Sequence, residues 1–354
     1  MSSLLALARP DIVGIKAYSH AAWLPSMTRL HANEAPWRPA GDGTSAGLNR
    51  YPEPQPGALI ERLAQVYGVP APSLLVARGS DEAIDVLSRI YLRAGADSIL
   101  QCTPSFGMYR VAAHIQGAGV AEVGLNRERD WALDPDRLLG AWRPNMKLVY
   151  LCSPNNPTGN SFALDALEAV CSALDGKAVV VIDEAYIEWS VRASLTAWLG
   201  RFSTMAILRT LSKAHALAGA RIGALIAAPE LIELARRIIP PYSLAQPTIE
   251  AALAALDPGE VAATRVRVQA LLAEREYLRE RLLRVRTVTR VWPSDANFLL
   301  IDSRDPDAFL RSSMAGGTLV RDMRSNPALP DSFRITVGTR AQNDVLISSL
   351  EAAP

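Results

Sequence analysis

The sequence predicts an α/β protein: a large domain built on a mainly parallel sheet, followed by a smaller α+β domain. Three observations carry that expectation. The 354 residues are 49% hydrophobic, enough for one large core and a second, smaller one. Short apolar runs alternate with helical segments, the pattern of a sheet covered by helices. Runs such as AVVVI (178–182) are apolar on both faces, as strands inside a covered parallel sheet must be.

The elements follow in order. Residues 1 to about 45 are irregular, with prolines at 10, 25, 36 and 39, and read as an arm lying over other structure. From Gly57 the pattern becomes helical, with Leu59, Leu63, Val66 and Tyr67 on one face. A second helix opens at Ser80 as its N-cap, with Asp81 and Glu82 in the first turn, where the helix dipole favours acids. Strands are expected at 98–102, 147–152, 178–182, 205–209 and 222–227. The segment IPPYSLAQP (239–247) interrupts the pattern with three prolines. Helices near 247–256 and 259–284 and strands near 297–302 and 333–337 come after it. The expected division is therefore an arm with part of the small domain (1–45), a large domain (46–245) and a C-terminal small domain (246–354).

Charge and cysteine usage exclude several classes of function. Charged residues make up 21% of the chain and the net charge is +1, so no overall field attracts nucleic acid or anionic membrane. The most basic stretch, REYLRERLLRVRTVTR (275–290), alternates charge with leucine at helical spacing and reads as the wet face of a helix. Cys102, Cys152 and Cys171 lack metal-ligand spacing and sit in apolar runs, so buried thiols and no metal site are expected. MSSLLALARPD has no basic stretch before its short apolar patch, unlike a secretion signal. No apolar run approaches the roughly 18 residues a membrane helix needs. A reducing compartment, the cytoplasm, is the simplest expectation.

Chemistry gathers at the ends of the expected strands, where open α/β sheets bind ligands. KLVYLC runs into SPNNPTG (153–159), AVVVI ends on DEAY (183–186), MAILR ends on TLSK (210–213), and the segment before Ser80 ends on ARGSDE. Each has a structural explanation when taken alone. NNPTG satisfies turn geometry, Asp183 can cap a helix, Arg221 can pair with a surface carboxylate, and Gly79-Ser80 can simply start a helix. Lys213 is the exception that raises the question of chemistry. It lies among Ala, Leu and Gly, where an amine either snorkels to water or loses its proton and becomes a nucleophile. Four polar strand ends at one sheet edge, with a lysine among them, favour a site.

ARGSDEAID, SPNNPTG, DEAYIEW, TLSKAHALAGARIG and RITVGT together resemble the fold-type I pyridoxal-phosphate aminotransferases. HANE (31–34), YPEPQ (51–55), FGMY (106–109), PPYSLAQPT (240–248), AEREYL (273–278) and VRD (320–322) draw the likeness closer to the branch acting on histidinol phosphate. It runs from about residue 10 to 350 and implies a seven-stranded sheet in a large domain that binds pyridoxal 5'-phosphate. By that resemblance Lys213 bonds the cofactor aldehyde and then moves a proton between substrate and cofactor. Asp183 pairs with the ring nitrogen, and Tyr186 and Asn156 hydrogen-bond the ring hydroxyl. Tyr109 stacks on the ring. Ser212, Arg221 and the amides of Gly79, Ser80 and Asp81 hold the phosphate, with the two acidic side chains turned outward. Tyr51 reaches the phosphate of a neighbouring subunit, which implies a homodimer with shared sites.

The same resemblance implies L-histidinol phosphate and 2-oxoglutarate as substrates, with L-glutamate and imidazole-acetol phosphate formed. Arg334 grips the substrate anion and Arg321 is a second charge, although a surface ion pair explains Arg321 equally well. Tyr18 and Tyr242 line the substrate pocket, and Asn33 and Glu34 lie in the arm covering it. His31 departs from the polar residue usual at its position, and His215 reads as packed against a helix. The same-fold alternatives are an aromatic amino-acid aminotransferase and a decarboxylase of amino-acid phosphates. A ligand-sensing regulator would need a DNA-binding extension, and no helix-turn-helix or basic patch appears.

Overall fold

The computed structural model describes residues 2–24 and 27–352; the proline at 25 lies outside them. Seven strands form the main sheet: β1 (Leu74–Ala77), β2 (Ser98–Thr103), β3 (Gly119–Gly124), β4 (Met146–Cys152), β5 (Val179–Asp183), β6 (Met205–Thr210) and β7 (Gly223–Ala227). Their order is β1-β7-β6-β5-β4-β2-β3. The pairs joining β3, β2, β4, β5 and β6 are parallel, while β7 runs antiparallel to both β6 and β1. All of β5, β6 and β7 is buried, which explains why their sequences show no polar alternation. Separate apolar clusters cover the two faces of the sheet.

A second sheet follows, with order β10-β11-β9-β8, built from β8 (Val288–Val291), β9 (Phe298–Ser303), β10 (Arg321–Asp322) and β11 (Ser332–Thr336). Every pairing in it is antiparallel. The helices Pro306–Ala315, Arg340–Glu351 and the 25-residue Pro258–Leu282 pack on it around a core of their own. Arg127, just after β3, reaches across to Asp302 on β9 at 2.8 Å and so ties the two sheets together.

All seven expected strands and both helices of the 247–284 region appear within a residue or two of their expected bounds. Four strands carried no distinct signal. β1 and β8 have four residues each and β10 only two, while β3 (GVAEVG) is bounded by glycines and partly exposed. Two local expectations are corrected. The helix after β1 starts at Gly79 with Arg78 as N-cap, because the Glu82 carboxylate accepts the Arg78 N–H at 2.7 Å; Ser80 therefore sits inside the first turn. The N-terminal segment contains short helices at Ser3–Leu7 and Pro10–Val13, and these join the large sheet's layer instead of the smaller unit. Leu4 and Ala8 enter that core, and the Arg9 N–H donates to the Ile90 carbonyl at 2.9 Å.

Candidate active site

The topology brings the expected strand ends together. Since β7 opposes both β1 and β6, β1 runs parallel to β6, and its C-terminal end lies at the same edge as those of β4, β5 and β6. The reversed β7 begins at that edge, so Arg221 just before it arrives there too. A cavity of about 550 Å³ occupies the edge, lined by Ser80, Asp81, Asn156, Asp183, Tyr186, Ser212, Lys213 and Arg221. The second sheet closes it with Arg334 of β11 and Arg321 of β10, which face each other in register.

Asp183 lies at the floor, 2% exposed. Its two oxygens accept from the Tyr109 hydroxyl at 2.7 Å and the Ala185 N–H at 3.0 Å. Burial pushes its carboxyl up to about 6, against the pull of those two hydrogen bonds. A carboxylate this deep calls for a positive charge beside it. Lys213 opens onto the cavity 5.6 Å from the Tyr186 ring. Desolvation is the largest influence on its amine and lowers its pKa, with the charge of Arg334 adding to the effect. Tyr186 is held protonated by burial, and its hydroxyl accepts from the Asn156 amide at 3.2 Å. Arg334 donates in turn to the Asn156 oxygen, so a chain of polar contacts runs from the second sheet through Asn156 to Tyr186.

Opposite Arg334 is a cup shaped by backbone. Gly79 has φ +76°, and a Cβ there would meet Arg221 Nη2 at 2.6 Å. A Cβ on Gly223 would stand 2.3 Å from both the Gly79 carbonyl carbon and the Ser80 nitrogen. Arg221 itself is held at φ 57°, a conformation few side-chain-bearing residues adopt without a functional reason. Its guanidinium donates to Ser212 Oγ at 3.3 Å and to Asp81 Oδ2 at 3.1 Å. First-turn amides of the Gly79–Tyr91 helix have no acceptor within the helix, and Ser80 and Asp81 of that turn line the cavity. We expect Gly223→Ala to destabilise the fold by about 1–3 kcal/mol, because backbone on both sides must move. Chemical denaturation of the purified variant checks this.

Not every expected residue reaches the cavity. Tyr109 is fully buried, stacked on Tyr150 at 4.4 Å and bound to Asp183, so it supports the carboxylate and offers no face to a ligand; Phe106 of the same FGMY lines the cavity instead. The Asp81 carboxylate does not turn outward but pairs with Arg221 beside the cup, and only Glu82 turns away, to Arg78. Tyr51 stacks on Tyr242 at 4.7 Å, and Tyr18 joins them through His20, all outside the cavity of this chain. Asn33 lies outside it too, and Glu34 is locked between Arg29 and Arg50 at 2.5 and 2.9 Å. His215 lies in a series of turns outside this cavity and, as expected, faces a helix: it shares a smaller cavity with Val261, Thr264 and Val268 of the Pro258–Leu282 helix.

Sequence reasoning also missed residues. Met108, Val111 and Met323 form an apolar wall, and Cys152 sits opposite Asp183 in the β4–β5 register. Arg209, buried under the site, donates to Glu184 at 3.4 Å and Glu188 at 2.7 Å, bracing the strand end of Asp183 against that of Lys213. Only the register of β5 and β6 could have signalled this pairing, and a lone arginine in an apolar strand gives no register.

The profile of the family described as aminotransferase class I and II matches residues 26–350. A histidinol-phosphate aminotransferase of Stenotrophomonas maltophilia is 45% identical over 99% of this chain and 98% of its own. One from Xanthomonas euvesicatoria is 44% identical over 99% and 97%. Among solved structures, the histidinol-phosphate aminotransferase of Sinorhizobium meliloti in complex with pyridoxal-5'-phosphate superposes with a TM-score of 0.77. It is 23% identical and covers 86% of this chain and 83% of that one, a likeness of fold.

Proposed function

The chain belongs to the class I and II aminotransferases, and from that premise we propose that it exchanges an amino group between L-histidinol phosphate and 2-oxoglutarate in histidine biosynthesis. One observation carries the substrate: a single cavity has two separate anion sites, the cup at Arg221 and the facing Arg321–Arg334 pair, with Lys213 and Asp183 between them. The first suits the cofactor phosphate. The second suits the phosphate of one substrate and the carboxylates of the other, since a guanidinium fork serves both. Met108, Val111 and Met323 give an imidazole ring an apolar surface.

The residues fit pyridoxal phosphate by their chemistry: a buried carboxylate short of a cation, an amine of lowered pKa, and a cup that a Cβ would fill. When bound, the cofactor supplies an aldehyde to carry the amino group and a ring to withdraw electrons. Asp183 would keep a proton on the cofactor's ring nitrogen. Asn156 and the protonated Tyr186 would donate toward the cofactor's ring hydroxyl, and Ser212, Arg221 and the helix amides would hold its phosphate. Lys213 Nζ, its pKa lowered by its setting, would take the proton from the substrate's α-carbon and return it two bonds away, at the carbon of the former aldehyde. Arg334 orients the substrate so that this carbon faces the amine.

A homodimer and a cytoplasmic setting belong to the same proposal. Tyr18 and Tyr51, both exposed, and the half-buried Tyr242 cluster outside this chain's cavity, where a second copy could receive them. Among the described residues no helix is long and apolar enough to cross a membrane. The division near residue 245 is supported by the separate core of the second sheet.

The purified protein, assayed with 2-oxoglutarate, should turn over histidinol phosphate with a kcat/KM well above that for phenylalanine. Equal or better use of phenylalanine, or release of carbon dioxide, would overturn the assignment. Arg334→Gln should raise KM for histidinol phosphate about 100-fold, equivalent to one charge-assisted contact of about 2–3 kcal/mol. Initial rates over a substrate series check this.

A further inference from the structure

Asp81 is an acid beside a cup that must hold a phosphate. Its carboxylate lies 3.1 Å from Nη2 of Arg221, the nitrogen poised over Gly79 where the helix amides converge. Nη1 of the same guanidinium is taken by Ser212 Oγ and the Ala218 carbonyl. Asp81 and Arg221 are both about half exposed to the cavity, and their charges cancel. Without that carboxylate the cup would present a guanidinium and a helix N-terminus, a good site for any small phosphate. With it, an arriving phosphate must share or displace the Asp81 contact.

We propose that Asp81 is a specificity-determining residue, a built-in anion that keeps inorganic phosphate and other bare anions out of the cofactor cup. The inference rests on the aminotransferase reading of the site. Inorganic phosphate gains only the cup, so the carboxylate's repulsion falls on its entire binding energy. Pyridoxal phosphate is also anchored at Lys213 and Asp183, and those contacts override the repulsion. The same carboxylate holds Arg221 aimed at the cup before the cofactor arrives. Its charge also reaches Lys213, where it raises the amine's pKa against the stronger effects of burial and Arg334.

The test uses cofactor-free protein and two probes, inorganic phosphate and pyridoxal phosphate, with affinities measured by calorimetry. In Asp81→Asn, which keeps the shape and loses the charge, inorganic phosphate should bind about ten-fold tighter or more at low salt. Added salt should shrink that gain. Phosphate should also displace the cofactor from this variant at concentrations that leave the parent protein loaded. Asp81→Ser, which removes the carboxylate and shortens the side chain, should show the same gain. Circular dichroism confirms that both variants fold. Unchanged or weaker phosphate binding in both would overturn the proposal and leave Asp81 as a plain support for Arg221. Failure of the parent protein to bind pyridoxal phosphate at all would instead overturn the reading of the site.

Discussion

Lys213→Ala should lose about 10⁴-fold or more in turnover, because the group that carries the cofactor aldehyde and the proton is removed together. The lysine faces an open cavity and not a packed core, so the truncation should leave stability nearly unchanged. The phosphate cup is made by other residues, Ser212, Arg221 and the Gly79 helix start, so the variant should still bind the cofactor, though no longer covalently. Two measurements check this. Cofactor absorbance should lack the parent protein's lysine-bound band, and glutamate should convert the bound cofactor only slowly in a single turnover. Rapid, catalytic conversion by the variant would remove Lys213 from its assigned role.

Asp183→Asn should separate stability from activity. In the folded chain the carboxyl titrates at about 6, against an unfolded value near 3.8, mainly because burial disfavours its charge. A group with a raised folded pKa favours the fold below its unfolded pKa, and that contribution is lost as pH rises through the folded pKa. Cofactor-free protein should therefore lose stability between about pH 4 and pH 7, by about 3 kcal/mol from this group. Asn carries no charge, so the cofactor-free variant should be the more stable of the two at pH 8, with a flatter pH profile. Its amide can still meet the Tyr109 hydroxyl, which is free to turn and accept. With pyridoxal phosphate the order should reverse, since the ring nitrogen loses its counter-charge. Turnover should fall by at least about 10²–10³-fold. Thermal melts at pH 5 and 8, with and without cofactor, provide the readout. A destabilised cofactor-free variant that still turns over would contradict both halves.

The buried strands were legible because their signal is local. AVVVI and MAILR need no partner to announce that both of their faces are covered, and the prolines of IPPYSLAQP break any regular element. The Ser80 cap was misjudged because the competing acceptor, the Glu82 side chain, folds back on Arg78 through a contact that composition does not reveal. Tyr109 was placed on the wrong side of Asp183 for a related reason. The helix Met108–Ile115 has an inner and an outer face, and which aromatic of FGMY turns inward depends on how that helix seats against Tyr150. The short strands β1, β8 and β10 exist only because a neighbour supplies their hydrogen bonds.

By itself the sequence determined which chemical groups are present and their order along the chain: the lysine with its serine and arginine, the acid ending an apolar strand, and the asparagine in a proline turn. Those are covalent facts, and strand and helix periods extend them only a few residues in either direction. Tertiary structure alone decided which groups meet. The reversal of β7 brings Arg221 to the edge where β1, β4, β5 and β6 end, and the β10–β11 register sets Arg321 beside Arg334 on the wall the second sheet supplies. It also decided that Asp81 faces Arg221. Burial of Asp183 and the setting of Lys213 follow from that assembly, because a side chain's pKa responds to dielectric and charge through space and not to its neighbours in sequence.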